Sequence, residues 1–257
     1  MKAALPPLVL ALALLAFWEW AVRAFAVPVF ILPAPSVIFA SLVEDSPELA
    51  ASLWFTLRMT LEAFALASVT GLMMAILFTR SRTVRRAVYP FAVVLQVTPI
   101  VSIAPLVIIW VGIDAVERAL LILATIVAFF PVLSNAVLGL SSVDFNLKDL
   151  MRLYGASDLR ILWSLELPSA APQILAGMKI AGGLALIGAV VAEFVAGSGG
   201  STGLAWRIIE AGNRLEIPRM FASLVLLSAT GIAIFALLSS LEWLILHTWH
   251  ESARHTE

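Results

Sequence analysis

Residues 119–140 read ALLILATIVAFFPVLSNAVLGL, a run without one charged side chain. A helix needs about 20 mainly apolar residues to cross a hydrocarbon core of about 30 Å, whereas a soluble surface helix keeps a polar face for water. The run therefore predicts one membrane crossing. Stretches of the same kind lie at 5–24, 56–77, 89–111, 174–194 and 220–246, and the segments between them are more polar. The expected fold class is an all-α integral membrane protein with about six transmembrane helices.

Composition agrees. Of 257 residues 61% are hydrophobic and 13% charged, with a mean hydropathy of +1.02, where an average soluble domain carries about 45–50% and about 25%. The apolar surplus has to face lipid. A net charge of −1 leaves no basic excess for nucleic acid. Cysteine is absent, which excludes disulfides, thiolate nucleophiles and Cys-bound metal sites.

Lys and Arg in short loops are retained on the cytoplasmic side. Loop 79–87 holds Arg80, Arg82, Arg85 and Arg86, and loop 141–173 holds Lys148, Arg152 and Arg160. Loop 27–55 has neither residue type and carries Glu44, Asp45 and Glu48. Arg207, Arg214 and Arg219, in the remaining outer loop, run against this majority. Both termini are then expected in the cytoplasm. The first run also has a competing reading as a cleaved signal peptide, with Lys2, an apolar stretch and Ala24-Phe25-Ala26. Against it, Trp18, Glu19, Trp20 and Arg23 occupy the place of small polar residues, and Trp suits a membrane interface.

The third run contains Pro99 and Pro105 beside Gln96, Thr98 and Ser102. Each proline removes a backbone donor and bends or breaks a helix, so this one belongs in a bundle interior or beside a cavity. Gln96, Thr98 and Pro99 are candidate pathway residues; a kinked packing helix is the plainer alternative. Gly177, Gly182, Gly183 and Gly188 in the fifth run permit close helix approach. Among ionisable residues inside the runs, Arg58 and Glu62 are four apart and can neutralise each other. Lys179 is placed to snorkel to the headgroups, and Glu193 to meet either water at a pathway mouth or a structural partner.

Enzyme chemistry is not legible. His247, His250 and His255 all fall in the C-terminal tail, and no H-E-x-x-H, paired carboxylates on a helix face, metal-ligand set or cofactor pattern occurs. No G-x-x-x-x-G-K-[ST] is present either, so ATP-driven work would need a motor on another subunit. A secondary transporter would require coupling sites near the midplane, and an intramembrane enzyme a serine–histidine or metal pair within the bilayer. Neither pattern is found.

The most informative segment runs from Asp149-Leu150-Met151 through Gly155-Ala156-Ser157 to Leu165-Glu166-Leu167-Pro168. It predicts two short amphipathic helices broken at Gly155, the second ending at Leu167-Pro168. Ile161, Leu162 and Leu165 would rest on the bundle while Asp149, Arg152, Asp158 and Arg160 face water. Such a loop suits docking of another protein or a helix lying on the membrane.

This segment resembles the E-A-A-x-x-x-G…I-x-L-P loop of type I ATP-binding-cassette (ABC) importer permeases. Gly155, Leu165 in the isoleucine slot, Leu167 and Pro168 stand at the required separations, and Asp149-Leu150-Met151 replaces Glu-Ala-Ala. Leu32-Pro33-Ala34-Pro35 and Val190-Val191-Ala192-Glu193-Phe194 are similar to the nitrate/sulfonate/taurine branch. Phe194 to Gly200 followed by Gly203-Leu204-Ala205 is similar to permeases for thiamine-pyrimidine precursors or riboflavin. The resemblance implies the type I importer transmembrane fold in a bacterial inner membrane. It divides the chain into 1–54 (first helix and outer loop), 55–246 (type-1 transmembrane domain with coupling loop 141–173) and 247–257 (cytoplasmic tail). It also implies a homodimer served by two ATP-binding subunits, which dock on Asp149, Leu150, Met151, Gly155, Ala156, Leu165, Leu167 and Pro168, and by an extracytoplasmic substrate-binding protein.

Overall fold

The structure is a computed structural model describing residues 5–197 and 202–247. Ser198, Gly199 and Gly200 of the glycine segment, His250 and His255 lie outside the described residues, as does nearly all of the 247–257 tail. The described residues form helices α1 (Leu5–Ala24), α2 (Pro35–Glu44), α3 (Ser46–Arg80), α4 (Arg82–Val97), α5 (Ile100–Val111), α6 (Val116–Ser141), α7 (Phe145–Leu153), α8 (Asp158–Ile161), α9 (Leu167–Ala196), α10 (Leu204–Asn213) and α11 (Ile217–Leu246). Among them 5 are long and apolar enough to cross a membrane, or 6 when α4 and α5 count as one broken span.

Three boundaries differ from the sequence reading, each for a local reason. Helix α3 starts well before 56, because Pro47 and Glu48 in its first turn suit a helix N-terminus; its 35 residues outreach the hydrocarbon core. Helices α4 and α5 meet at 106°. The break falls at Thr98-Pro99, because a residue preceding proline is disfavoured in helical conformation, and Thr98 is extended at φ −71°, ψ 124°. Pro105, expected to bend or break the same span, sits inside α5. The predicted stop at Leu167-Pro168 is absent. A π-helical turn at Leu162–Glu166 carries α8 directly into α9, and the Leu167 N–H reaches back to the Leu162 carbonyl. The wider turn accommodates the proline that would otherwise crowd the preceding turn.

Two compact units are present, 1–56 with 201–230 and 57–200 with 231–257. In the first, Ile38, Leu49 and Ala222 form a small core with Trp18, Leu42, Phe221 and Leu226 packed around it. Arg207, Arg214 and Arg219, which opposed the charge asymmetry, all have acidic partners here. Arg207 meets Glu210 at 2.7 Å and Glu48 at 3.5 Å, Arg214 meets Glu210 at 2.9 Å, and Arg219 pairs with Glu48 and Glu216.

The second unit is built on α6 against α9. Gly177, Ala181, Ala185 and Ala189 recur every fourth residue along α9 and are all buried. Such a small-residue ridge lets backbones approach in lipid, where no hydrophobic force draws helices together. A Cβ on Gly177 would lie 2.8 Å from the Pro131 carbonyl oxygen, and one on Gly188 2.9 Å from the Ala124 Cα, whereas Gly183 faces open space.

Candidate functional site

The segment between α6 and α9 is folded, not a loose loop. Asp144 caps α7 by accepting from the Asn146 N–H at 2.8 Å. The helix ends in a Schellman arrangement: the Gly155 N–H bonds to the Arg152 carbonyl at 2.9 Å and the Ala156 N–H to the Met151 carbonyl at 3.0 Å. Gly155 takes φ +77°, a left-handed conformation that favours glycine, with nothing within 4 Å of where a Cβ would stand. The glycine is therefore needed for conformation, not for space. Ser157 restarts the chain by capping α8.

Ile161 and Leu162 are buried as expected, and Leu165 is half-buried. Arg152 pairs weakly with Asp149 at 3.5 Å and Asp158 at 3.6 Å on the outer side. The apolar exterior was not legible: Leu153 and Tyr154, just before Gly155, are each 85% exposed, and Leu159 and Trp163 are exposed as well. Leu150 is exposed, and Met151 and Ala156 are half-buried.

Also missed was Glu166, which fills the variable position between Leu165 and Leu167. Its side chain is only 5% exposed and joins three elements. Arg80, the last residue of α3, donates to Oε2 at 2.7 Å and to the Asp158 carbonyl at 3.2 Å. Lys148 on α7 reaches Oε1 at 3.0 Å. A buried carboxylate needs such partners, and this pair of cations binds both arms of the segment between α6 and α9 to the end of α3.

Of the pathway candidates, the structure brings Gln96, Thr98 and Pro99 together. They line a cavity of ≈ 380 Å³ at the α4–α5 bend, closed by Ile126, Val127 and Pro131 of α6 and Leu184 of α9. The Thr98 hydroxyl donates to the Val94 carbonyl at 2.7 Å, supporting the severed helix end. Glu193 does not line this cavity. It continues the every-fourth-residue ridge of α9, is wholly buried and is not without a partner, which fits the structural alternative and not a water-facing mouth. Lys179 does not simply snorkel, because its ammonium meets Glu242 of α11 at 2.5 Å and lies 5.9 Å from the Phe235 ring centroid. Arg58 pairs with Glu62 at 3.5 Å as expected, and with Glu117 at 2.9 Å.

A family profile described as binding-protein-dependent transport system inner membrane component matches residues 67–251, which contain all of 149–168. The chain belongs to this family. It is 32% identical over 248 residues to the formylaminopyrimidine transport permease protein ThiX of Halalkalibacterium halodurans, covering 95% of each chain. It is 31% identical to the riboflavin transport system permease protein RibX of Chloroflexus aurantiacus, over 93% of this chain and 88% of the relative. The fold matches the inward-facing MetNI methionine ABC transporter with a TM-score of 0.64 at 19% identity, over 77% of this chain and 95% of the other. The protein is thus a type I ABC importer permease of the branch to which these relatives belong, and a multi-pass inner-membrane component. Family membership brings an ATP-binding subunit, where the ATPase resides, and a substrate-binding protein as partners.

Proposed function

We propose that the chain is one half of a permease homodimer whose segment 149–168 receives motion from two ATP-binding subunits. Both termini lie in the cytoplasm, and the chain itself hydrolyses no ATP. The observation that carries this reading is the construction of the segment: an apolar exterior of Leu153, Tyr154, Leu159 and Trp163 around the Gly155 turn, on a base held to α3 and α7 through Glu166. Exposed aromatic and aliphatic groups of this kind anchor protein interfaces, and a base without slack passes displacement into α9. Closure of the motor dimer upon ATP binding then tilts α9 with α6 and changes access to the cavity lined by Gln96, Thr98 and Pro99. Glu193 supports that movement from inside the helix packing. A substrate-binding protein delivers the cargo from outside. Orientation is supported by the outer arginines all being paired with carboxylates, while Arg82, Arg85 and Arg86 have no such partner among the described residues. The kinship with formylaminopyrimidine and riboflavin permeases supports a small heterocyclic cargo.

Copies tagged and purified in mild detergent test the coupling role. Gly155→Val forces a β-branched residue into φ +77°, and Asp149→Lys reverses a charge beside the apolar exterior. Each variant is expected in the membrane at normal amount, without ATPase recruitment or without stimulated hydrolysis in liposomes. Full recruitment and transport in both would remove 149–168 as the coupling element.

A further inference from the structure

We propose that Arg82, Arg85 and Arg86 bind the headgroup of an anionic phospholipid, one of whose acyl chains lies along α4. Arg82, Arg85 and Arg86 line an open depression of ≈ 400 Å³ together with Tyr89 and Pro90. All three are exposed, and no carboxylate among the described residues pairs with any of them. Other arginines of the second unit behave otherwise: Arg80, next to the patch, is consumed by Glu166, and Arg58, toward the far end of α3, by Glu62 and Glu117. Three unneutralised cations within two turns, at the edge of a membrane span, make a phosphate site.

The helix itself separates a lipid from a soluble phosphate. At 100° per residue, Arg82, Arg86, Pro90, Val93 and Val97 fall on one stripe of α4, and Val97 is 70% exposed. Val94, beside the stripe, is 58% exposed. From Arg86 to Val97 the stripe rises about 16 Å, close to half of a hydrocarbon core of about 30 Å. A cationic head with an apolar track one leaflet deep matches a phospholipid and gives a free anion nothing below the phosphate. The inference rests on α4 being part of a membrane span and not on the coupling role of 149–168, so either can fail without the other.

The test is native mass spectrometry on the full-length chain in mild detergent, offered phosphatidylglycerol or phosphatidylcholine with identical acyl chains. Phosphatidylglycerol should be retained in preference. Arg82→Gln, Arg85→Gln and Arg86→Gln should each weaken it about fivefold, the change that about 1 kcal/mol per cation near a lipid surface implies. Together they should weaken it roughly a hundredfold if they act independently, and the triple lysine variant should keep most of the affinity. The single variants and the lysine triple decide the matter even where the glutamine triple fails to insert. Equal retention of the two lipids, or unchanged retention in the single variants, overturns the site. Displacement of phosphatidylglycerol by millimolar glycerol phosphate overturns it in favour of a soluble anion. Lost ATPase recruitment with unchanged phosphatidylglycerol binding overturns it in favour of a protein-docking patch.

Discussion

Glu166→Gln keeps the shape of the side chain and removes its charge, so it isolates the ionic part of the anchor. Deleting one partner of a buried ion pair costs about 3–5 kcal/mol when the other is left dry. Here Arg80 is 32% and Lys148 18% exposed, so both gain water, and glutamine retains a carbonyl acceptor. The loss falls to about 2 kcal/mol, within the range of one hydrogen bond to a charged group. That is roughly thirtyfold in the equilibrium between a seated and an unseated segment 149–168. The α6–α9 packing is untouched, so insertion and thermal unfolding should stay near those of the unmodified protein. In proteoliposomes with its ATPase and binding protein, the variant should still hydrolyse ATP but import markedly less cargo per ATP. Arg80→Gln should act in the same direction, and the double variant should fall short of the sum, because both remove one interaction. Unchanged cargo per ATP in Glu166→Gln, or strict additivity with Arg80→Gln, would refute the anchor.

Gly188→Val should lower the melting temperature in detergent through overpacking, since its first side-chain atom would stand 2.9 Å from the Ala124 Cα, while Gly183→Ala, facing open space, should change it little. Glu210 is held below its ordinary pKa of 4.5, chiefly by the hydrogen bond from Arg207. Its stabilising effect is present above the unfolded value and lost as pH falls through the lower folded value; acid melting curves should show this loss, and Glu210→Gln should flatten it. Single cysteines at Ser46 and Thr83, in a chain that has none, should react with an impermeant thiol reagent in intact cells at Ser46 alone, and the opposite pattern would invert the topology.

The 5 long apolar helices among the described residues were legible because lipid imposes an unmistakable composition on about 20 residues at a time. Helix ends were less legible wherever a helix leaves the bilayer, since hydropathy stops reporting there. The start of α3 was written in Ser46-Pro47-Glu48, as turn chemistry and not apolarity. The passage from α8 to α9 was misread because Leu167-Pro168 normally marks a boundary, and only a backbone with a π turn keeps the helix running through it.

The segment between α6 and α9 divides the same way. Gly155 carries its meaning locally, in the sign of one φ angle, so a single position sufficed to place the turn. Glu166 draws its meaning from Arg80 and Lys148 on two other elements, and its role emerges only when α3 and α7 converge on the π turn. Glu193 stands between these cases, because the ladder Gly177, Ala181, Ala185, Ala189 points straight to it. A carboxylate that continues a ridge of small residues falls on the packing face, so its burial could have been foreseen from spacing alone. The two acids of α9 and its entry turn therefore differ in kind: Glu166 is fixed by ion pairs from α3 and α7, and Glu193 by its place on the packing face of α9; under the proposed coupling role they would stand at opposite ends of one lever.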